Sequence, residues 1–182
     1  MNLGIRSCRR VNTNDDPGRW VVDWDALSQG IRNNTVLNQL KISGSILGEN
    51  VCDVFSNALS QNTTLKSLHL ENCLIDDSGA TQIAKHLVRN NRILEERNLN
   101  NNLISNDGVV VAFTEALKEN DVINFFQLNN PVSDFTIGER GSTALLNIML
   151  GINTTLLWIA LNKTVMDGFD TRSTYYLRLK MK

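Results

Sequence analysis

The sequence is poor in the residues that build disulfide frameworks and metal sites. Of its 182 residues, three are Cys and two are His. Cys8, Cys52 and Cys73 are odd in number and widely spaced, so neither a disulfide framework nor a zinc site is expected. His69 and His86 lie 17 residues apart, which excludes a metal-binding pair on one helix. These scarcities favour a reducing, cytoplasmic compartment and a chain that needs no cofactor.

Long apolar runs and a strong net charge are also absent. No stretch approaches the roughly 18 apolar residues of a membrane span, and the start of the chain lacks the apolar core of a secretory signal. The net charge is -1, which argues against nucleic acid or an anionic membrane as the main partner. Gly44 and Gly48 lack the spacing and the Lys-Ser/Thr ending of a phosphate-binding loop. We find no catalytic constellation, so an enzyme is not expected.

What the chain does contain is a short phrase repeated five times, an Asn followed three residues later by an aliphatic residue. The spacings between successive Asn residues are 28, 29, 29 and 33 residues. A period of this length indicates one supersecondary unit copied along the chain, each copy burying its apolar face against the next. We interpret the Asn side chains as turn residues that satisfy backbone groups between a helix and a strand. They are Asn34, Asn62, Asn91, Asn120 and Asn153.

A strand is predicted after each Asn and a helix before the next one. The second copy runs Leu65-x-x-Leu68-x-Leu70-x-x-Cys73-x-Ile75, the pattern of a leucine-rich repeat whose alternation indicates a strand. Later in each copy, apolar residues recur at the spacing i, i+3, i+4, i+7 and i+8, which marks one stripe of an amphipathic helix. In two copies Asp77 or Asp107 could help to cap that helix.

A strand, a loop, a helix and a turn within about 29 residues are typical of the ribonuclease-inhibitor-like class of leucine-rich repeat. We therefore predict an α/β fold, a right-handed leucine-rich repeat solenoid of about five repeats that forms part of a horseshoe. Its parallel sheet would line the concave side, with helices outside. The predicted boundaries are an N-terminal extension and cap at 1–23, the solenoid at 24–164 and a C-terminal cap at 165–182. Trp20, Val21, Val22 and Trp24 would cover the front of the stack.

Two features depart from the repeat. Arg97 occupies a position that is apolar in the other copies, and a guanidinium buried there would be costly unless it is paired. Arg97 either reaches the edge of the sheet, meets a neighbour such as Glu95 or Glu96, or distorts its strand. The fourth copy has four extra residues before its helix, and Phe135 in this insertion is either an exposed anchor or a side chain tucked against the core.

The outward positions of the predicted strands form a polar row with Phe125 and Trp158 near its C-terminal end. Aromatic side chains flanked by polar groups are common anchors of protein interfaces. The alternative is that both rings pack beneath the inserted loop and the cap. The candidate protein-binding residues come from this row, the insertion and the basic C-terminal segment: Lys41, His69, Glu71, Asn98, Asn100, Phe125, Gln127, Asn129, Phe135, Trp158, Arg172 and Arg178.

Several of these features occur together in one known family. They are the Asn-Thr-Thr-Leu turns at 62–65 and 153–156, the helix endings Ala58-Leu59 and Ala116-Leu117, and the long last copy between Gln127 and Asn153. With them, the chain from about residue 24 onward resembles the C-terminal leucine-rich repeat domain of the tropomodulin and leiomodin family. The resemblance implies a domain that binds actin and caps filament pointed ends. That family's N-terminal tropomyosin- and actin-binding segment is missing, so we expect a fragment or a divergent relative.

Two other functions stay open. The chain could be a generic interaction module of a signalling or immune protein. It could also be a regulator of a small GTPase, because the Ran GTPase-activating protein shares this class of repeat, although that family's acidic tail is absent. In each case we expect a monomer whose partner is a protein.

Overall fold

Strands and helices alternate along most of the chain. The computed structural model describes residues 1–6, 22–88, 90–104, 107–128, 144, 158–161 and 175–178. The strands are β1 (Asn2–Arg6), β2 (Gln39–Ser43), β3 (Ser67–Glu71), β4 (Glu96–Asn98), β5 (Phe125–Leu128), β6 (Trp158–Leu161) and β7 (Tyr175–Arg178). The helices are α1 (Trp24–Asn33), α2 (Glu49–Ser60), α3 (Asp77–Ile83) and α4 (Asp107–Lys118), and α3 continues into a π-helical turn, Ala84–Val88.

All seven strands belong to one sheet, in the order of the sequence. Neighbours from β1 to β6 are parallel, and β7 is antiparallel to β6. Parallel neighbours need a crossover, and between β2 and β5 each crossover carries a helix. The register aligns the same position of every copy, as in the series Leu40, Leu68, Arg97, Phe126 and Ile159. The predicted leucine-rich repeat solenoid is confirmed.

The two outer strands were not predicted, because neither follows an Asn-led phrase. β1 extends the sheet in front of β2, within the segment predicted as an extension and cap. β7 lies along β6 at the other end. Each covers a strand edge that would otherwise be unpaired. The predicted boundaries between extension, solenoid and cap remain predictions.

The core lies between the inward side chains of the strands and the apolar stripes of the helices. Leu40, Leu68 and Phe126 on the strands are at most 1% exposed. The rings of Phe113 on α4 and Phe126 on β5 lie 5.0 Å apart. At the front, Trp24 is partly buried and packs edge-on against Phe55 at 5.8 Å. Of the other predicted capping residues, Val22 is half-buried, and Trp20 and Val21 lie outside the described residues.

The repeated Asn residues form a ladder of hydrogen bonds that ties one copy to the next. Asn91 Oδ1 accepts from the backbone N–H groups of Ile93 and Leu94 at 2.9 and 2.7 Å. Its Nδ2 donates to the carbonyl oxygens of Leu59 and Asn62, in the helix-to-strand turn one repeat length earlier, at 2.8 and 3.4 Å. Asn62 and Asn120 repeat this arrangement. The predicted turn role is confirmed for Asn34, Asn62, Asn91 and Asn120. The last three also join successive turns, and Asn153 lies outside the described residues.

The chain leaves β2, β3 and β4 through a residue in the left-handed region of backbone space. This residue is Gly44 after β2, Asn72 after β3 and Asn101 after β4, with φ of 73°, 55° and 59°. Gly and Asn are the residue types that adopt this conformation at least cost. Each of them therefore lets its loop turn away from the sheet toward the next helix.

The start and end of α3 differ from the prediction. The cap is Asp76, whose carboxylate accepts from the N–H of Gly79 at 2.9 Å, whereas Asp77 is the first helical residue. Asp107 is likewise the first residue of α4. The second copy is one residue longer than the first, yet α2 and α3 both begin 15 residues after their Asn. A π turn holds about one residue more than an α turn, so Ala84–Val88 takes up the extra residue.

Arg97 lies in the core with 1% of its surface exposed. Nη1 donates to the carbonyl oxygen of Leu94 at 2.8 Å. In the described part of the chain, Nε and Nη2 have no hydrogen-bond partner. The Arg97 side chain neither reaches the edge of the sheet nor pairs with Glu95 or Glu96. Burial lowers the pKa of Arg97 to about 9. The third alternative fits best, because β4 has three residues where β2 and β3 have five.

Candidate protein-binding surface

The outward side chains of β2 to β5, with Asn100 just after β4, line the face of the sheet opposite the described helices. We call these residues the concave row. In each of these strands the inward residues are buried while most of the alternating ones keep contact with solvent. The row consists of Gln39, Lys41, Ser43, Ser67, His69, Glu71, Glu96, Asn98, Asn100, Phe125 and Gln127.

One hydrogen-bonded group joins the first positions of three strands. Gln39 Nε2 donates to Ser67 Oγ at 3.4 Å, and Ser67 Oγ donates to Glu96 Oε2 at 3.0 Å. His69 Nε2 lies 2.9 Å from Ser67 Oγ and 3.6 Å from Glu96 Oε1. These contacts fix the directions of four polar side chains before any partner arrives.

A second group runs through the later positions. Lys41 Nζ lies 3.2 Å from Glu71 Oε2, and Asn98 Nδ2 donates to Glu71 Oε1 at 2.6 Å. Asn98 Oδ1 accepts from the N–H of Asn100, and Asn100 Nδ2 donates to Gln127 Oε1 at 3.4 Å. Because it is covered by its neighbours, Asn98 is only 5% exposed. Asn98 therefore positions Glu71 and is not itself an open contact point.

A pocket of about 350 Å³ opens beside the first group. It is lined by Lys66, Ser67, Glu95, Glu96, Asn124 and Phe125. Lys66 Nζ and Glu95 Oε1 pair across it at 3.0 Å. Phe125 is half-buried, so part of its ring adds an aromatic surface among the charged and amide groups of the row.

The Ser67, His69 and Glu96 cluster is not arranged for nucleophilic catalysis. Ser67 donates its proton to Glu96, and Glu96 lies near the same ring nitrogen, Nε2, that faces Ser67. A catalytic triad needs the carboxylate on the other ring nitrogen and a serine proton directed to the histidine. The cluster is suited to recognition by hydrogen bonds. Within the described residues, no group of three His, Cys, Asp or Glu could hold a metal ion.

Burial makes both described cysteines poor nucleophiles. Desolvation, with smaller contributions from Asp76 and Cys73, raises the pKa of Cys52 to about 12. Desolvation likewise raises the pKa of Cys73 to about 11. Both side chains lie in the core behind the sheet, away from the concave row. The described helices also include none long and apolar enough to cross a membrane.

The structure brings most of the predicted binding residues together. Lys41, His69, Glu71, Asn98, Asn100, Phe125 and Gln127 all belong to the concave row. Trp158 on β6 is the register partner of Phe125, and Arg178 on β7 is the register partner of Trp158. Asn129, Phe135 and Arg172 lie outside the described residues.

Two residues at the centre of the row were missing from the predicted set. Ser67 and Glu96 connect three strands, and Glu96 also lines the pocket. Both occupy the repeat position of Phe125, five residues after the Asn of their copy. Alternation along the strands already places both on the outward face, whereas the hydrogen bond between their side chains is not visible in the sequence.

Solved structures with a similar fold come from the tropomodulin and leiomodin proteins. The chain is similar to leiomodin-1 actin-binding site 2, with a TM-score of 0.64 and 22% identity over 82% of this chain and 84% of that one. It is also similar to the tropomodulin C-terminal domain of Caenorhabditis elegans, with a TM-score of 0.61 and 15% identity over 81% and 85% of the two chains. The predicted resemblance is therefore confirmed at the level of the fold.

The sequence comparisons give a shorter match. No protein-family model matches the chain. The chain is 39% identical over 71 residues to NACHT, LRR and PYD domains-containing protein 4C of Mus musculus. This match covers 38% of the chain and 7% of that protein, so the chain spans only a small part of this relative. The match agrees with the repeat class of the fold.

Proposed function

We propose that the chain is a non-enzymatic protein-binding domain, that the concave row contacts the partner, and that the partner is actin at the pointed ends of filaments. The observation that carries the choice of actin is the similarity, over 82% of the chain, to a leiomodin-1 domain that is itself an actin-binding site. The rest of the proposal is supported by the side chains of the row.

The concave row suits a protein partner because its polar groups are already oriented. Binding is weakened by the entropy lost when flexible side chains are fixed. In this row Gln39, Ser67, Glu71 and Asn98 are held by one another across neighbouring strands. Phe125 adds an aromatic contact of the kind that anchors interfaces.

The proposal is tested by measuring filament growth at pointed ends. Actin filaments with blocked barbed ends are elongated with increasing amounts of the chain. We expect the elongation rate to fall and to saturate with the chain's concentration. An unchanged rate at saturating chain would remove actin capping from the proposal.

A charge reversal tests whether the concave row is the contact. Lys41 is about half-exposed and forms an exposed pair with Glu71, so Lys41→Glu should cost little stability. We expect Lys41→Glu to weaken actin binding about tenfold, since a reversed charge in an interface meets like charge on the partner. Lys85→Glu, an exposed residue of the π turn on the helix side, is the matched control and should bind like the wild type.

A generic interaction module is the second candidate. It is favoured by the match to a leucine-rich repeat protein that also carries NACHT and PYD domains. On this alternative the chain leaves filament growth unchanged, and Lys41→Glu weakens binding to a different purified protein. Regulation of a small GTPase stays a prediction, and an unchanged rate of GTP hydrolysis by Ran would dispose of it.

A further inference from the structure

Three exposed aliphatic side chains occupy one repeat position, twelve residues after the Asn of their copy. Ile46, Leu74 and Leu103 are 52%, 46% and 50% exposed. Each follows the strand of its copy, so all three lie beyond the C-terminal ends of β2, β3 and β4. We call them the apolar row. Single exposed aliphatic residues are ordinary, but recurrence in three successive repeats makes a continuous strip.

The backbone of Leu74 is strained where its side chain is exposed. Its φ is 52°, in the left-handed region that Leu rarely adopts. A Gly or Asn would adopt this conformation more easily. Because 46% of Leu74 faces solvent, burial of its side chain offsets little of the strain energy. Strain held at an exposed apolar residue is typical of sites that act on a partner.

Carboxylates border the apolar row. Helices α2 and α3 begin just beyond it, and their starts carry Glu49, Asp76 and Asp77. The loops at 44–50, 72–78 and 101–104 contain no Lys or Arg. In the described loops after β2, β3 and β4, this end of the strands is therefore apolar with carboxylates beside it.

We propose that the apolar row docks an amphipathic helix of a partner protein that carries Lys or Arg beside its apolar stripe. Neighbouring strands lie about 4.8 Å apart, and residues i and i+3 or i+4 of a helix are about 5–6 Å apart. A helix lying across the strands therefore sets one apolar side chain against each repeat. The carboxylates of Asp76 and Asp77 select a basic helix over an acidic one.

This contact goes beyond the proposed function, because it uses the loop edge instead of the concave row. A second copy of the chain is a poorer occupant. Two copies meeting at this edge would bring Glu49, Asp76 and Asp77 against the same carboxylates, which costs free energy.

The test uses a fluorescent synthetic helix with Leu at i, i+3, i+7 and i+10 and Lys at the flanking positions. Binding to the full chain is followed by anisotropy. We expect saturable binding that is lost when Glu replaces every Lys and when the same residues are scrambled. Leu74→Asn should weaken binding about tenfold, and it leaves the fold intact because Asn tolerates the left-handed region.

Val36→Asn is the matched control. Val36 is 60% exposed but lies in the turn before β2, at the opposite end of the strand. It should bind the peptide like the wild type, and so should Lys41→Glu, which separates this proposal from the concave row. If Leu74→Asn lowers stability, Ile46→Ser and Leu103→Ser repeat the test at residues with unstrained backbones.

Three results would overturn the proposal. The first is equal binding of the scrambled peptide. The second is wild-type affinity in Ile46→Ser, Leu74→Asn and Leu103→Ser together. The third is a concentration-dependent dimer in sedimentation that Leu74→Asn abolishes, because the row would then bind a second copy of the chain.

Discussion

At the scale of single residues, the guanidinium of Arg97 is an unfavourable group in the described core. It is desolvated, and in the described residues it gains one hydrogen bond, to the carbonyl oxygen of Leu94. Its register partners are Leu68 and Phe126, so the surroundings are those of an apolar repeat position. A buried charge without a counter-charge costs several kcal/mol, on the order of the net stability of a small domain.

Replacing this charge should stabilise the fold. We expect Arg97→Leu to raise the free energy of unfolding by about 1–4 kcal/mol, because Leu fills this position in the first two copies, as Leu40 and Leu68, and needs no solvation. Urea unfolding followed by circular dichroism measures the change. An equal or lower unfolding midpoint in Arg97→Leu would mean that the guanidinium is compensated in the native state.

The stability gap between Arg97→Leu and the wild type should also depend on pH. The folded pKa of Arg97 is lowered to about 9, so from pH 9 upward the unfolded chain holds more protons at this residue. The loss of stability caused by the buried charge is therefore complete below pH 9 and becomes smaller as the pH rises. Cys52 and Cys73 titrate in the same range with the opposite sign, since their folded pKa values are raised. Both proteins contain the same thiols, so the difference between their free energies of unfolding cancels the thiol contribution. This difference should shrink between pH 8 and pH 10.5.

The Asn ladder allows a matched comparison between two copies. Asn91 is buried and makes four hydrogen bonds to backbone groups of two successive helix-to-strand turns. Asn34 is exposed, and its Oδ1 accepts from the N–H groups of Val36 and Leu37. We expect Asn91→Ala to cost about 2–4 kcal/mol and Asn34→Ala about 1 kcal/mol. Equal losses of unfolding free energy in the two variants would show that the hydrogen bonds between repeats add no stability beyond that of the turn.

At the scale of elements, α3 depends on its cap. Asp76 accepts from the N–H of Gly79, and Gly79 is required because a Cβ there would lie 2.9 Å from Cys52 Sγ. We expect Asp76→Ala to lower stability by about 1 kcal/mol, and Asp76→Asn to retain most of it because Asn also caps helices. Thermal unfolding of the two variants decides this. Equal losses would mean that charge, and not the hydrogen bond, stabilises the helix start.

The elements that obey the repeat were predictable, and those that break it were not. Helices α1 to α4 and strands β2 to β6 follow from apolar periods of 3.6 residues before a repeated Asn and 2 residues after one. The π turn was not predictable, because the stripe of Ile83, Ala84, Leu87 and Val88 has ordinary helical spacing. β1 and β7 were missed because they gain their place by pairing with a neighbouring strand, which local sequence does not encode.

At the scale of the whole molecule, the stacking of repeats decides which residues meet. The sequence predicts the face on which Lys41, His69, Glu71 and Gln127 lie, because side chains alternate along a strand. It does not predict that Asn98 is buried within the row, since that depends on hydrogen bonds between side chains of different strands. Register, and not proximity in sequence, creates the site.

The most direct test of the concave row is an NMR titration of the labelled chain with unpolymerised actin. Side-chain amide groups give their own signals, and Gln39, Asn100 and Gln127 place such groups on the row. Asn57 and Gln61, at the end of α2 on the helix side, are built-in references. The account predicts that the signals of Gln39, Asn100 and Gln127 shift or broaden first while those of Asn57 and Gln61 persist. Selective loss of the Asn57 and Gln61 signals, with the row unchanged, would contradict it.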